Sequence, residues 1–405
     1  MTQPATPKDA IRRFGARVLP PGSQGRAIAT VGLDTYREGR NSWRRNRLPG
    51  LSGAPSYEDW LARVRPDEAE IASIRAAIAS SANSRRIVLL SVGAGDPSPL
   101  AASVGDQLWP HVELLHLQGA ELPAPDVLHD DDMVMLLAPR DRLEPQAAFR
   151  VADAMWEEPH VDLVTFDDDA PVAGVREPRF RPAWSPDMLW SANYVGRAFA
   201  VRASVLRAAI PEEHSETLWW EVLLSADLDG RRVRHIPEVL LHLERRPEIP
   251  AAKAAEVVAA EVDSRELPAT VELRHGVPRL RWSPTDLPSV SVIVPTRHNR
   301  PMMEMLLESL RSTEYPDWEL IVVDNGGRLD GHEDFYEEQL RGFEAEVLWW
   351  HEPFNYSAVN NHAVERARGE VLVFLNDDCR IRSSDWLHEL AGWATRDDIG
   401  TAGVQ

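Results

Sequence analysis

The sequence predicts an α/β protein that contains parallel sheets. Three apolar runs near the carboxyl end of the chain each finish in polar residues, and helix-like sequence lies between them. Long apolar runs of this kind are typical of strands that are buried on both faces. The runs and their polar ends are 290–294 with Pro295 and Thr296, 319–323 with Asp324 and Asn325, and 371–375 with Asn376, Asp377 and Asp378. Because ligands of such sheets bind beyond the carboxyl ends of the strands, we expect the functional residues there.

Composition places the chain among globular proteins and leaves room for about two domains. It has 405 residues, of which 43% are hydrophobic, and its formal charge is 44 − 64 = −20. This charge argues against nucleic acid as a partner, because phosphate binding needs clustered Lys and Arg. The single cysteine, Cys379, excludes an internal disulfide and a cysteine-rich zinc site. No apolar stretch approaches the roughly 18 residues of a spanning helix and no signal-peptide core is present, so a cytoplasmic location is expected.

Residues 1–80 are predicted to form an arm followed by helices. Residues 1–55 carry Pro, Gly and Arg without periodicity, which is typical of an extended arm. Within it, 37–47 is basic and holds one tryptophan. A solvated loop is the favoured interpretation of that segment, and peripheral contact with a membrane is the alternative. Ser56, with Asp59 three residues later, is predicted to cap a first helix, and a second helix is predicted over about 67–81.

Residues 81–248 are predicted to form a first α/β domain. The fourth of its strands is expected to end at Asp167, Asp168 and Asp169. The alternation of strands with helical sequence is the basis of the prediction. The strands are expected at 86–92, 112–117, 133–137, 161–166 and 234–242, with a helix at 145–157.

Residues 249–288 are interpreted as a linker, and a second α/β domain is predicted over 289–405. The linker contains an alanine-rich helix at 251–262, a short β stretch and a proline-bearing segment. The first helix of the second domain is expected at about 302–312, with Met302, Met305 and Leu306 on its core face. Only three or four strands of this domain precede Gln405, so it is expected to be incomplete.

The segment Asn376-Asp377-Asp378 follows a buried strand and is the strongest candidate for a metal site. Adjacent carboxylates can hold Mg²⁺ or Mn²⁺, and such an ion can bridge a diphosphate. A surface turn is the alternative, since Asn and Asp favour turns. The position of the segment, downstream of two other polar strand ends, favours the metal.

Two further stretches carry polar groups toward the same sheet edge. Asp324 can accept hydrogen bonds from a ribose or a pyrimidine N–H, and the glycines after it also fit a tight turn. Ser357 is predicted to cap a helix that runs to Arg368 and ends at Gly369. That helix would carry Asn360 and Asn361 in its first turn, where amides suit sugar or phosphate contacts; simple capping is the alternative.

Several common site motifs are missing from the sequence. There is no Gly-x-Gly-x-x-Gly, no Gly-Lys-Ser/Thr loop and no Gly-x-Ser-x-Gly elbow, which argues against a dehydrogenase, a P-loop NTPase and a serine hydrolase. His298, His332, His351 and His362 lack metal-ligand spacing and are interpreted as ordinary polar side chains.

Residues 289–405 closely resemble the first half of a family 2 glycosyltransferase of the GT-A fold, the kind found in bacterial O-antigen and capsule synthesis. The resemblance rests on Val-Ile-Val-Pro-Thr at 292–296, Val-Val-Asp-Asn-Gly at 322–326, Glu-Pro-Phe-Asn-Tyr-Ser-Ala-Val-Asn-Asn at 352–361 and Arg-Gly-Glu-Val-Leu-Val-Phe-Leu-Asn-Asp-Asp at 368–378. It implies a tandem of GT-A (Rossmann-like) nucleotide-diphospho-sugar transferase domains, the second incomplete. It also implies that Asp378 binds Mn²⁺ or Mg²⁺ and that the general base lies beyond Gln405. The residues implied to bind the nucleotide sugar are Pro295, Thr296, Arg297, Asp324, Asn325, Asn360, Asn361, Asn376 and Asp377.

The first α/β domain looks like a degenerate copy of the same domain. Its segment 182–194 is similar to the acceptor-side signature of these proteins. However, Ala-Pro-Arg-Asp at 138–141 stands where the Asp-x-Asp element would fall, and Trp219 stands near the expected acidic residue. The resemblance therefore implies that this copy binds no nucleotide sugar productively. It would be structural or would hold acceptor glycan on its tryptophans, with core packing as the alternative for Trp184, Trp190, Trp219 and Trp220.

The function implied by the resemblance is transfer of a sugar from a nucleotide-diphospho-sugar to a growing bacterial surface glycan. The acceptor would be lipid-linked or an oligosaccharide, the metal would neutralise the departing diphosphate, and the anomeric carbon would be inverted. The enzyme would act in the cytoplasm at the inner face of the membrane. The alternative is a non-catalytic glycan-binding or scaffold protein. A nucleotidyltransferase is disfavoured because 296–300 has no glycine.

Overall fold

The computed structural model describes residues 56–117, 123–124, 126–211, 216–328 and 331–403. The predicted arm over 1–55, with its basic segment, lies outside the described residues. The chain divides into two compact units, 1–67 and 68–405. In the described part of the chain, no helix is both long enough and apolar enough to cross a membrane.

The described part of the first unit is organised around helix α1 (Tyr57–Val64). Ser56 caps this helix, as predicted. Its Oγ accepts from the backbone N–H of Asp59 at 3.1 Å, and the Asp59 carboxylate accepts from the backbone N–H of Ser56 at 3.2 Å. These reciprocal bonds form a capping box, which satisfies two otherwise unpaired donors of the first turn.

The second unit begins with an eight-stranded mixed sheet. Its order is β2-β1-β3-β7-β5-β8-β4, and β6 pairs with β5. Strands β1, β2 and β3 are parallel, while β7 runs antiparallel to both β3 and β5. The strands are β1 (Ile87–Ser91), β2 (Val112–His116), β3 (Met133–Leu137), β4 (Arg142–Leu143), β5 (Leu163–Val172), β6 (Val175–Arg179), β7 (Phe199–Arg202) and β8 (Val233–His242). The helices are α2 (Glu68–Ser80), α3 (Ser98–Gly105), α4 (Ala147–Glu157), α5 (Pro186–Leu189), α6 (Ala203–Ala209) and α7 (Leu218–Ser225).

Strand β5 is longer than predicted. Asp167, Asp168 and Asp169 lie inside it and are buried, so the expectation that they end the strand was wrong. The physical reason is that arginines from the segment after β5 neutralise two of these carboxylates. Arg181 hydrogen-bonds Asp168 at 2.5 Å, and Arg176 pairs with Asp169. Buried charges persist when they are paired and hydrogen-bonded in this way.

The stretch interpreted as a linker is regular structure. It forms α8 (Ala251–Ser264) and a hairpin of β9 (Ala269–Arg274) and β10 (Val277–Trp282). The hairpin turn is His275-Gly276, with φ of 53° and 79°, which matches the twist of the flanking strands. Val258 of α8 and Leu280 of β10 are buried in the same core cluster as β1 and β3. This stretch therefore packs onto the first sheet.

The second sheet is four-stranded and entirely parallel, in the order β13-β12-β11-β14. Here β11 lies between β12 and β14, as β1 lies between β2 and β3. The strands are β11 (Val290–Thr296), β12 (Trp318–Asp324), β13 (Ala345–Trp349) and β14 (Val371–Phe374). The helices are α9 (Arg300–Leu310), α10 (His332–Gln339), α11 (Tyr356–Val364) and α12 (Trp386–Ala394).

Two helices of this part differ from expectation. Helix α9 buries Met303 and Leu306, whereas Met302 is 38% exposed, because the buried stripe starts one residue later than predicted. Helix α11 is capped by Asn355, whose side chain accepts from the N–H of Ala358 at 3.1 Å, and not by Ser357. The helix ends at Val364, short of the expected end.

Candidate functional site

The carboxyl ends of β11, β12 and β14 bring together residues that the sequence singled out. Thr296 and Asp324 are register partners on neighbouring strands. The hydroxyl of Thr296 donates to Oδ2 of Asp377 at 2.7 Å, and the backbone N–H of Asn325 donates to the carbonyl of Thr296 at 2.8 Å. The three strand ends thus form one continuous polar edge.

Asp324 is completely buried and accepts three hydrogen bonds. Its Oδ1 accepts from the N–H of Gly326 at 2.6 Å. Its Oδ2 accepts from the hydroxyl of Tyr336 and from Nδ1 of His298, each at 2.7 Å. Burial, together with the hydrogen bond to Asp324, raises the pKa of Tyr336 well above its usual value. The carboxylate is therefore held rigidly at the edge of the sheet.

His298 and His332 were interpreted as ordinary polar residues, and the structure gives them a specific place. Their rings stack with centroids 3.2 Å apart and planes 14° apart. With Asp324 they are the one group in the described part of the chain in which three potential metal-ligand atoms lie within 4.8 Å of one another. Nε of Arg300 is 3.1 Å from Nε2 of His298. Because the rings are parallel, their lone pairs do not converge, and the arginine charge opposes a cation, so this group fits a metal poorly.

The turn after β14 offers a better site for a divalent ion. Asp377 is partly buried, whereas Asn376 and Asp378 are exposed. Oδ2 of Asp377 is held by Thr296, and the side chain of Asp378 makes no hydrogen bond or ion pair within the described ranges. Mg²⁺ and Mn²⁺ prefer such oxygen ligands and take their remaining ligands from water and phosphate. The residues at this turn fit that kind of ion.

The remaining site residues lie around this edge. Pro295 is buried in β11 and Arg297 is exposed just beyond it. Asn360 is 5% exposed, its Nδ2 donates to the carbonyl of Tyr356 at 2.8 Å, and its Oδ1 is buried without a partner in the described part of the chain. Asn361 is exposed. Since α11 begins at Tyr356, both asparagines lie in its second turn and not in the first.

The acidic residue that follows β3 in the first sheet is not accessible to a ligand. Asp141, the acidic residue after β3, is completely buried and accepts from the N–H of Ala138 at 3.0 Å. Its Oδ2 also lies 3.4 Å from Nε of Arg197. Burial raises the pKa of Asp141, and the nearby Arg197 opposes that rise. The carboxylate is thus engaged in contacts within the protein.

Two of the four tryptophans considered as sugar platforms are held inside the first sheet's core. The indole N–H of Trp219 donates to the carbonyl of Leu136 at 2.7 Å, and that of Trp220 donates to the carbonyl of Leu189 at 2.8 Å. The guanidinium of Arg197 lies 5.1 Å from the Trp219 ring centroid. Core packing therefore accounts for this pair.

Comparison with known proteins identifies the family of the segment that contains the second sheet. Residues 291–405 match the model of the Glycosyl transferase family 2. This segment belongs to glycosyl transferase family 2. The resemblance drawn from its motifs is confirmed, and the segment is a glycosyltransferase domain.

Three relatives show how far the similarity extends. The chain is 30% identical over 293 residues to the O-antigen biosynthesis protein RfbC of Myxococcus xanthus, covering 68% of this chain and 23% of that protein. It is 30% identical over 293 residues to an uncharacterized protein of Sinorhizobium fredii, covering 67% of this chain and 32% of that protein. It is 33% identical over 92 residues to the putative teichuronic acid biosynthesis glycosyltransferase TuaG of Bacillus subtilis, covering 22% of this chain and 36% of that protein. The chain therefore spans about a quarter to a third of the length of these relatives.

Among solved structures, the mannosyltransferase PcManGT from Pyrobaculum calidifontis, in complex with GDP-Man and Mn²⁺, is 26% identical and covers 29% of this chain and 35% of that one. The TM-score is 0.27. A score at this level does not by itself establish a common fold.

Proposed function

We propose that residues 289–405 bind a nucleotide-diphospho-sugar together with a divalent metal ion and use it in sugar transfer to a growing bacterial surface glycan, with inversion. One observation carries the proposal: Thr296, Asp324 and Asp377 meet at the carboxyl ends of three neighbouring parallel strands. This is the edge at which open α/β sheets bind nucleotides. The family of the segment agrees with it.

We propose that different residues at this edge bind different parts of the donor. We assign the base and ribose of the donor to the region around Asp324, whose carboxylate is held by His298 and Tyr336. The proposed donor pocket is completed by Pro295, Asn325, Asn360, Asn361 and Asn376. Arg297 is exposed, and we propose that it binds a phosphate of the donor. Asp378 would hold Mn²⁺ or Mg²⁺, which, when bound, neutralises the negative charge of the diphosphate leaving group.

The acceptor is proposed to be a lipid-linked glycan or an oligosaccharide, reached at the inner face of the cell membrane. In support, two relatives carry the names O-antigen biosynthesis protein and putative teichuronic acid biosynthesis glycosyltransferase. Both names refer to cell-surface polysaccharides. We further propose the division inferred from the sequence, with a degenerate transferase domain at 81–248, a connecting segment at 249–288 and part of a second domain at 289–405.

A non-catalytic role remains the second candidate for the first of these domains. The observation that favours it is the enclosure of Asp141 by Arg197 and the backbone N–H of Ala138. This arrangement leaves the first sheet without an exposed carboxylate at the position where the second sheet presents Asp378.

Calorimetric titration of UDP, dTDP and GDP, each with and without Mn²⁺, tests the proposal. The wild-type chain is expected to bind one of these nucleotides only with Mn²⁺, and Asp378→Ala is expected to abolish that binding. Asp263→Ala, which removes an exposed carboxylate on α8, is the matched control and is expected to bind normally. A well-folded chain that binds none of the three nucleotides, or that binds equally well without Asp378, would contradict the proposal.

A further inference from the structure

A cleft of about 690 Å³ lies in the second unit, away from the proposed donor edge. Its walls come from α5 and the residues before it, from the end of α7, from β10, and from the residues after α12. We call it the tryptophan cleft, after Trp184, Trp190 and Trp282, which line it.

The tryptophan cleft is a different place from the end of β3, where Asp141 is buried in the first sheet. Helix α7 separates the two places. Near its amino end Trp219 hydrogen-bonds the carbonyl of Leu136, at the carboxyl end of β3. Leu224 and Asp227, at the other end of this helix, line the cleft. Because α7 has eight residues, its two ends are about 12 Å apart.

The aromatic walls of the cleft are held in fixed orientations. The indole N–H of Trp184 donates to the carbonyl of Leu228 at 3.0 Å. Trp282 packs edge-on against Trp393, with centroids 5.6 Å apart, and the guanidinium of Arg396 lies 5.0 Å from its ring centroid. Nε1 of Trp282 is buried and has no acceptor in the described part of the chain. Rigid indole faces suit a ligand that presents an apolar face to them.

The two arginines that line the cleft are each paired with carboxylates of the same lining. Arg396 pairs with Asp187 and with Asp398, each at 2.6 Å. Arg265 pairs with Asp227. Among the described residues, these two arginines are the only basic members of the lining, which also holds five carboxylates, those of Asp187, Asp227, Asp229, Asp397 and Asp398. The described lining thus offers no unpaired cation to an anionic ligand, whereas its carboxylates keep lone pairs for hydroxyl donors.

We propose that the tryptophan cleft is a binding site for neutral hexopyranose oligosaccharides, separate from the donor site. The CH face of a pyranose ring packs on Trp184 or Trp282, and its hydroxyls donate to Asp187 and Asp229 at the cleft edge. The proposal does not depend on the donor chemistry, and its test uses neither nucleotide nor metal.

The test is ¹⁹F NMR of the full chain labelled with 5-fluorotryptophan. The sequence has 14 tryptophans, and the signals of Trp184 and Trp282 are assigned with the Trp184→Phe and Trp282→Phe variants. Maltohexaose, mannohexaose and chitohexaose are the neutral probes, a hyaluronan hexasaccharide is the anionic comparison, and a lysine-rich peptide is the cationic comparison. We expect saturable shifts of the two assigned signals with at least one neutral probe and at least tenfold weaker binding of the anionic one.

Blocking variants place the response in the cleft. Thr395 and Asp397 line the cleft at exposed positions, and Thr395→Trp and Asp397→Trp each add a bulky side chain that fills part of it. If one of these variants does not fold, the other is used for the test. Glu308→Trp adds the same group at an exposed position on α9 and is the control. We expect the blocking variants to lose the shifts and the control to keep them. The proposal is overturned if no neutral probe shifts either signal, if the shifts persist in both blocking variants, or if only a lysine-rich peptide produces them.

Discussion

The hydroxyl of Thr296 donates a hydrogen bond of 2.7 Å to Oδ2 of Asp377, although 81 positions separate the two residues in the sequence. The bond joins the end of β11 to the turn that follows β14. It fixes the orientation of one carboxylate directly beside the exposed Asp378. The proposed metal site is therefore oriented by the neighbouring strand and not by its own turn alone.

Thr296→Val is expected to weaken Mn²⁺-dependent nucleotide binding about tenfold, since a hydrogen bond to a charged group contributes about 1.5 kcal/mol or more. Valine keeps the shape of the side chain and removes only the donor. Calorimetry with the nucleotide found for the wild-type chain measures the effect.

Thr270→Val, at an exposed position on β9, is the control and is expected to bind like the wild type. Unchanged affinity in Thr296→Val would mean that the Thr296–Asp377 bond does not orient the site.

Gly369 marks a close approach of two backbones. A Cβ at this position would lie 2.3 Å from the backbone nitrogen of Ser291 and 2.6 Å from the carbonyl carbon of Val290. The N–H of Gly369 also donates to Oγ of Ser291 at 2.8 Å. Gly369→Ala is therefore expected to destabilise the fold by about 3 kcal/mol, because the obstructing atoms belong to the central strand and cannot move aside. The midpoint of thermal unfolding measures the loss.

The comparison for this variant is Gly105→Ala at the end of α3, where nothing lies within 4 Å of the added Cβ. That variant should be neutral or slightly stabilising, because alanine favours helix. Equal unfolding temperatures for the two variants would contradict the argument from close approach.

His242 is predicted to make stability depend on pH. Its side chain is 12% exposed, and its ring nitrogens lie 2.6 Å from Glu144 and 2.9 Å from Asp169. Burial alone lowers the pKa of His242, but the hydrogen bonds to Asp169 and Glu144 prevail and raise it to about 8. The charged ring therefore stabilises the fold fully below pH 6.5, and this contribution, about 2 kcal/mol, is lost as the pH rises through 8.

Urea unfolding at pH 6, 7, 8 and 9 measures this dependence. In His242→Gln the fall in the free energy of unfolding across this range should be smaller by about the same 2 kcal/mol. His160→Gln replaces an exposed histidine and should keep the wild-type slope. A slope that survives in His242→Gln would assign the effect to other groups.

The sequence by itself determined the strands and the polar edge. Strand β3 has the predicted bounds, and β11 and β12 end at the predicted polar residues, because strands buried on both faces must be apolar along their whole length. Strand β14 ends at Phe374, two residues before Asn376, and because it lies at the edge of the sheet it is only partly buried, so the prediction of a buried strand at this place was wrong. The motifs at those ends also identified the family, whose model matches residues 291–405.

Only the tertiary structure decided which side chains meet. His298 reaches Asp324 across 26 positions, and Arg396 reaches Asp187 across 209. Nothing in local spacing indicates such pairs, because they depend on the order in which strands and helices are placed side by side. The same reason explains why the strand was wrongly predicted to end at 167–169. In the fold, β6 and β8 bring Arg176 and His242 to the carboxylate of Asp169, which allows this residue to be buried within the strand. Burial of a charge depends on its partner, and the partner is supplied by the fold.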